Sequence, residues 1–225
     1  MRNSGNDWES TILRDGFITS LTEGLDIDYQ RYRPATLYIN GEFWGIQNIR
    51  EKVNEHFISS NHSISLENID LLDIQGVNDE NIVHGTNADY KILINYLDTQ
   101  DVNDPIVQNA LQNWIDIESY MSYQAFQIFV DNRDWPGNNI KFWRDHRVGG
   151  KWRWILYDTD FGFGIWDPNA YNYNTLAFAL DPNGPGWPNP PWSTFVFRRL
   201  MENDHFRDSF INIYCDMLNT VFMPE

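Results

Sequence analysis

From Ile115 to Val130 the chain holds an apolar stripe at helical spacing, carried by Ile117, Tyr120, Met121, Ala125, Ile128 and Phe129. That run delivers the chain into Asn132-Arg133-Asp134-Trp135-Pro136-Gly137-Asn138-Asn139, a turn stiffened by Pro136 and loosened by Gly137. Two strands follow, Ile140 to Trp143 and Trp152 to Tyr157, joined through Gly149-Gly150. The second strand releases Asp158-Thr159-Asp160-Phe161-Gly162. A hairpin between the two polar runs lets both reach one cleft. Along the first strand Ile140 and Phe142 share one face, Lys141 and Trp143 the other, which predicts a sheet packed on both sides.

Elsewhere the pattern is more ordinary. Asp7 reads as the cap of a helix from Trp8 to Leu21 that Gly24 ends. Thr36–Ile39 and Phe43–Ile46 flank Asn40-Gly41, the strongest short-range hairpin signal. A short helix is predicted over Glu51 to Ser59, then a polar stretch to Asn87 holding one strand, Ile69 to Ile74. Tyr90 to Leu97 reads as helix, Asp167 to Pro191 as a long loop, and Thr194–Met201 and Asp204–Leu218 as closing helices. No repeat or interdomain linker interrupts the 225 residues, so the fold class expected is α+β in a single domain.

Composition narrows the function. Thirty-two acidic against sixteen basic residues give a net charge of −16, which repels a phosphate backbone and excludes general nucleic-acid binding. The charge suits divalent cations and a basic protein substrate, although solubility alone also accounts for it. Cys215 is the sole cysteine, so neither an intrachain disulfide nor a thiolate metal cage can form. Five histidines show no ligand spacing, which disfavours zinc, and no stretch reads as a membrane span.

A carboxylate fixed at Asp134 can accept a proton from an attacking hydroxyl or orient it. Asn139, five positions on, supplies a neutral oxygen for a hard cation such as Mg²⁺. Asp158 and Asp160 point the same way if strand geometry continues, and holding them close needs a cation or a shared proton. Each motif alone also reads as an Asx-rich or solvated acidic turn. Taken together, their order and separation resemble a phosphoryl-transfer site. Of the five tryptophans between Trp135 and Trp166, Trp143 is the candidate to stack on a nucleotide base; core filling is the competing reading. Arg2, Arg14 and Arg50 can meet phosphate, or can pair with the abundant carboxylates.

The chain resembles the CotH (spore-coat protein H) kinase family, an atypical protein-kinase-like group. The matching stretches are LRDGF at 13–17, YRPATLYINGEFWGIQNIREKVNEHFI at 32–58, QIFVDNRDWPGNNIKFWRD at 127–145 and KWRWILYDTDFGFG at 151–164. The resemblance implies a kinase-like fold that uses ATP and Mg²⁺ or Mn²⁺ to phosphorylate serine of exported, spore-coat or surface proteins. It implies Asp134 as catalytic aspartate, with Asn139 and one or both of Asp158 and Asp160 on metal. The family carries a further N-terminal segment with a phosphate-contacting basic residue, so the chain is expected to be a fragment lacking the N-terminal-most strands. Lys52 is then the candidate substitute on phosphate, and Glu51 the acid expected to orient a lysine. A non-catalytic coat-assembly or adhesion module with a degenerate kinase fold is the alternative. A glycoside-acting enzyme ranks last, because Asp158 and Asp160 lie too close in sequence to flank a sugar.

Overall fold

The computed structural model describes residues 1–73 and 82–223. In chain order its helices are α1 (Arg14–Ser20), α2 (Glu55–His62), α3 (Ala88–Thr99), α4 (Pro105–Trp114), α5 (Ile117–Phe129), α6 (Thr175–Leu180), α7 (Phe195–Met201) and α8 (Asp204–Leu218). Its strands are β1 (Asp28–Tyr29), β2 (Tyr32–Ile39), β3 (Glu42–Arg50), β4 (Ile69–Asp73), β5 (Ile82–His84), β6 (Lys141–Asp145) and β7 (Arg153–Leu156). Five strands form a mixed sheet in the order β1-β7-β6-β4-β5, with β1 parallel to β7 and the other neighbours antiparallel. β2 and β3 form a separate antiparallel ribbon. The architecture is mixed α and β, compatible with the α+β class.

The central strands are buried on both faces, as the bulky residues of β6 predict. Leu72, Phe142, Trp154 and Leu156 enter the larger core with Tyr120 and Phe126 of α5. Their neighbours Leu71, Trp143 and Ile155 enter a smaller core under α2, with Phe57 and Ile58. Such alternation between two apolar layers follows from the period-2 geometry of a strand. Burying each of these side chains is worth roughly 1.5–3 kcal/mol, so the sheet is anchored from both sides.

Several expected elements move. The helix predicted from Trp8 begins only at Arg14, because the Asp7 side chain accepts from the Thr11 backbone and hydroxyl and from Arg14 instead of capping at Trp8. α2 starts at Glu55 under its cap Asn54, which leaves Glu51 and Lys52 in the connection from β3. α4 and β5 were not predicted, and the Asp167–Pro191 loop contains α6. Ile74, the last residue of the expected strand, lies outside the described residues. The hairpin stands, with Asn40 (φ 53°) and Gly41 (φ 85°) in the left-handed conformation of its tight turn.

Candidate active site

α5 ends at Phe129, and Asp131, in left-handed conformation at φ 48°, turns the chain away from the helix. Asn132 fixes the next turn by donating to Gln127 Oε1 at 2.9 Å and accepting from the Asp134 backbone N–H at 3.2 Å. Asp134 is buried, and its Oδ2 receives the amides of Asn138 at 2.9 Å and Asn139 at 2.5 Å. Burial pushes the Asp134 carboxyl above its ordinary value; the Asn138 bond opposes this and the charge of Asp158 adds to it. A Cβ on Gly137 would stand 2.6 Å from the Pro188 carbonyl oxygen, so only glycine lets the distal loop close over this turn.

The second motif reaches the same place by a route the strand pattern did not predict. β7 stops at Leu156 and Asp158 adopts φ 53°, so Asp158 and Asp160 do not converge through continued strand geometry. Thr159, fully buried between them, is held by Asp15, which accepts its backbone N–H at 2.6 Å and its hydroxyl at 2.7 Å. Arg50 forms a buried ion pair with the same Asp15. Arg14 donates to the carbonyls of Gly162 at 3.0 Å and Phe163 at 2.9 Å, fastening the segment that follows.

Backbone contacts join the two motifs. Phe163 N–H donates to Val130 at 2.7 Å and Arg133 N–H to Phe161 at 3.4 Å, and the Asn139 amide reaches the Asp158 carbonyl at 3.4 Å. Asp134, Asn139, Asp158 and Asp160 therefore share one site. The Arg2 guanidinium lies 2.6 Å from Asp158 Oδ1 and 3.9 Å from Asp160 Oδ2. The Arg2 backbone is bridged to Asn48 of β3 in both directions at 2.8 Å. Asp160 also accepts the Asn6 backbone N–H at 2.8 Å, and a Cβ on Gly5 would come within 2.3 Å of its Oδ2. Burial raises the Asp160 carboxyl above its usual value against the Asn6 bond, Asp158 raises it further, and Arg2 opposes.

Of the remaining expected residues, Trp143 is only 3% exposed. Its ring lies 4.5 Å from His62 and its indole N–H donates to Asp28 at 2.8 Å. Its faces belong to the smaller core, so base stacking on Trp143 is corrected by burial. Glu51 meets no lysine among the described residues; its carboxylate accepts from the Arg31 backbone at 3.0 Å. Lys52 lines a cavity of about 310 Å³ beside Asp158, together with Arg2, Arg50 and Lys141. The arginines pair with carboxylates: Arg2 with Asp158, Arg14 with Asp7, Arg50 with Asp15. Asp15, Asn6 and Lys141 were not singled out, although Asp15 and Lys141 fall within the motif stretches.

The donors gathered here are hard oxygens, which suit Mg²⁺ or Mn²⁺ rather than a soft metal. Burial raises both the Asp134 and the Asp160 carboxyl, the charge of Asp158 adds to each, and Arg2 opposes the rise at Asp160. On both counts the residues fit a divalent cation. Among the described residues, no cluster of three or more His, Cys, Asp or Glu is arranged to hold one outright, so the Asn139 amide oxygen would be needed in the set. No helix among them is long and apolar enough to cross a membrane.

An aspartate and an asparagine thus lie beside an acidic pair just past a strand end. The family model described as CotH kinase protein matches residues 1–225, the whole chain, and the chain belongs to that family. A search of curated proteins finds no match.

Proposed function

We propose that this chain is an ATP- and Mg²⁺- or Mn²⁺-dependent protein kinase that transfers the terminal phosphoryl group to serine of exported coat or surface proteins. The observation that carries this reading is the convergence of Asp134 and Asn139 from one motif with Asp158 and Asp160 from the other. Asp134 orients the serine hydroxyl and takes its proton, and its raised affinity for protons favours that role. The serine oxygen forms a bond to the terminal phosphorus as the bond to the leaving diphosphate oxygen breaks. Asn139, Asp158 and Asp160 would hold the divalent cation, which supplies neutralisation of phosphate charge when bound. Catalysis rests on positioning and electrostatics, since the protein forms no covalent intermediate.

The test is calorimetric titration with ATP in the presence of Mg²⁺ or Mn²⁺, followed by phosphate transfer to serine-containing protein. Metal-dependent binding, and transfer abolished by Asp134→Ala or Asp160→Ala without unfolding, is the expected result. Equal activity in both variants would sink the residue roles.

A non-catalytic assembly module is favoured by one observation: Arg2 already supplies a cation to the acidic pair. Absence of any metal-dependent ATP binding would decide for it.

A further inference from the structure

Residues 3–10 and the Ile165-Trp166 turn line a cleft of about 550 Å³. Each segment gives it a tryptophan: Trp8 is 43% exposed and Trp166 65%. A single exposed apolar side chain is ordinary, but two indoles on one cleft leave large rings open to whatever enters. The other lining side chains are mostly polar, among them Asn3, Asn6, Glu9 and Ser10, and no lysine or arginine of the described residues joins them. The Glu9 carboxylate and the Ser10 hydroxyl have no protein partner among the described residues.

Both segments are held rigidly although their tips are exposed. Behind the first, buried Asp7 accepts from the Thr11 backbone and hydroxyl and from the Arg14 backbone. The Ser4 hydroxyl donates to the Ile12 carbonyl at 2.7 Å, and Ile12 holds φ 65°, which a β-branched residue adopts only where its surroundings over-determine it. The second segment is a turn closed by the Asp167 N–H on the Gly164 carbonyl at 3.2 Å, and the Phe161 ring meets Trp166 edge-on at 6.0 Å. Arg14 joins the two: its Nε donates to Asp7 at 3.2 Å and its Nη1 to the carbonyls of Gly162 and Phe163. A cleft tied on both sides loses little freedom when a ligand enters.

We infer that this cleft binds a neutral oligosaccharide, with Trp8 and Trp166 packing on its rings and Asn3, Asn6, Glu9 and Ser10 meeting its hydroxyls. A pyranose has an apolar C–H face and a rim of hydroxyl groups, so it asks for aromatic surface and polar groups together. Each hydroxyl both donates and accepts, which matches a lining that mixes amides, a hydroxyl and a carboxylate. A lysine or arginine side chain only donates, and would leave the Asn3 amide N–H groups unmatched. An acidic sugar would meet Glu9 in a chain of net charge −16. The volume lies within the roughly 300–1,000 Å³ typical of small-molecule pockets. Asn6 lines the cleft and donates to Asp160, so bound sugar lies next to the proposed cation-holding group. Sugar binding nevertheless goes beyond the kinase reading and stands without it.

Calorimetric titration of the full chain with cellotetraose, chitotetraose and xylotetraose, each repeated by tryptophan fluorescence, tests this. Saturable binding of at least one is expected. Trp8→Ala and Trp166→Ala should each weaken it about tenfold or more, and Trp8→Phe should weaken it less than Trp8→Ala. Trp44→Ala, which removes an exposed indole from β3, should leave binding unchanged. Tetragalacturonate, with a carboxylate on every ring, should bind more weakly than the neutral sugar. Should Trp166→Ala unfold, Trp8→Ala against Trp44→Ala carries the comparison. No binding of any of the three sugars, equal loss in Trp8→Ala and Trp44→Ala, or tetragalacturonate binding as tightly as the neutral sugar overturns the inference. So does binding of a tetralysine peptide in their place that Trp8→Ala removes, which would give the cleft to a cationic chain instead.

Discussion

The Asn139 side-chain amide donates to Asp134 Oδ2 across 2.5 Å, and Asn138 donates to the same oxygen. Both bonds fall on one oxygen, and Oδ1 carries none among the described residues. The carboxylate is thereby held at one end and open at the other, the arrangement wanted for receiving a hydroxyl proton. Replacing Asp134 by Asn keeps the shape and removes the proposed base. Phosphate transfer should fall by about 10²–10⁴, the usual contribution of a positioned general base. Because burial disfavours the charged form of Asp134, the melting temperature should not fall with it. A parallel fall in activity and melting temperature would mean that Asp134 is structural.

Arg2 stands where a divalent cation would have to meet Asp158 and Asp160. Its side chain is 38% exposed, so screening by solvent limits what the contact contributes. Arg2→Ala removes a competing positive charge and should tighten Mn²⁺ binding about threefold, read by paramagnetic resonance titration. Unchanged Mn²⁺ affinity would show that the guanidinium does not hold the cation's place.

How much of this was legible depends on the range of the interactions. The hairpin at Asn40-Gly41 and the two-faced burial of Phe142 and Trp143 are local, written in turn chemistry and alternation. α4 was equally local and was overlooked: Asp104 caps it, accepting from Ile106 N–H at 2.7 Å, and Pro105 opens it. The N-terminal helix was misplaced because Asp7 carries a polar side chain suited to capping, yet spends it on Thr11 and Arg14. At the proposed site, the two motifs that carry Asp134, Asn139, Asp158 and Asp160 are visible in the sequence. What gathers them was not: Asp15 holds Thr159 across 144 positions of sequence, and Asn6 holds Asp160 across 154. Trp143 was misread because a tryptophan's chemistry is the same in a core as in a cleft, and only burial separates the two.

Asp15 links stability to function. It carries Thr159 by two hydrogen bonds and is the buried partner of Arg50. Asp15→Ala leaves Arg50 buried without its counter-charge, and breaking such a pair costs about 3–5 kcal/mol. Thermal denaturation followed by circular dichroism should show that loss. Phosphate transfer should also collapse at temperatures where the variant is still folded, because Thr159 no longer spaces Asp158 from Asp160. Full activity in folded Asp15→Ala protein would refute the spacing role.

Asp28 gives a prediction in pH. On β1, beside β7, it accepts from Trp143 at 2.8 Å and Arg153 at 3.1 Å, and lies 3.0 Å from His62 Nε2. Burial alone would raise its carboxyl, but the His62 bond, the Arg153 charge and the Trp143 bond together hold it below its ordinary 3.8. A carboxyl that binds its proton less readily folded than unfolded stabilises the fold only while ionised. The contribution is therefore fully present above pH 3.8 and is lost as the pH falls through the lower folded-state value. Asp28→Asn removes the charge at every pH. At neutral pH it should cost about 3 kcal/mol, or roughly 6–12 °C in melting temperature for a chain of this size. The gap between variant and wild type should then narrow as both are melted at progressively lower pH, down to around pH 3. A gap that stays constant across that range would mean that Asp28 acts through shape and neutral hydrogen bonding, and that its charge contributes nothing to the fold.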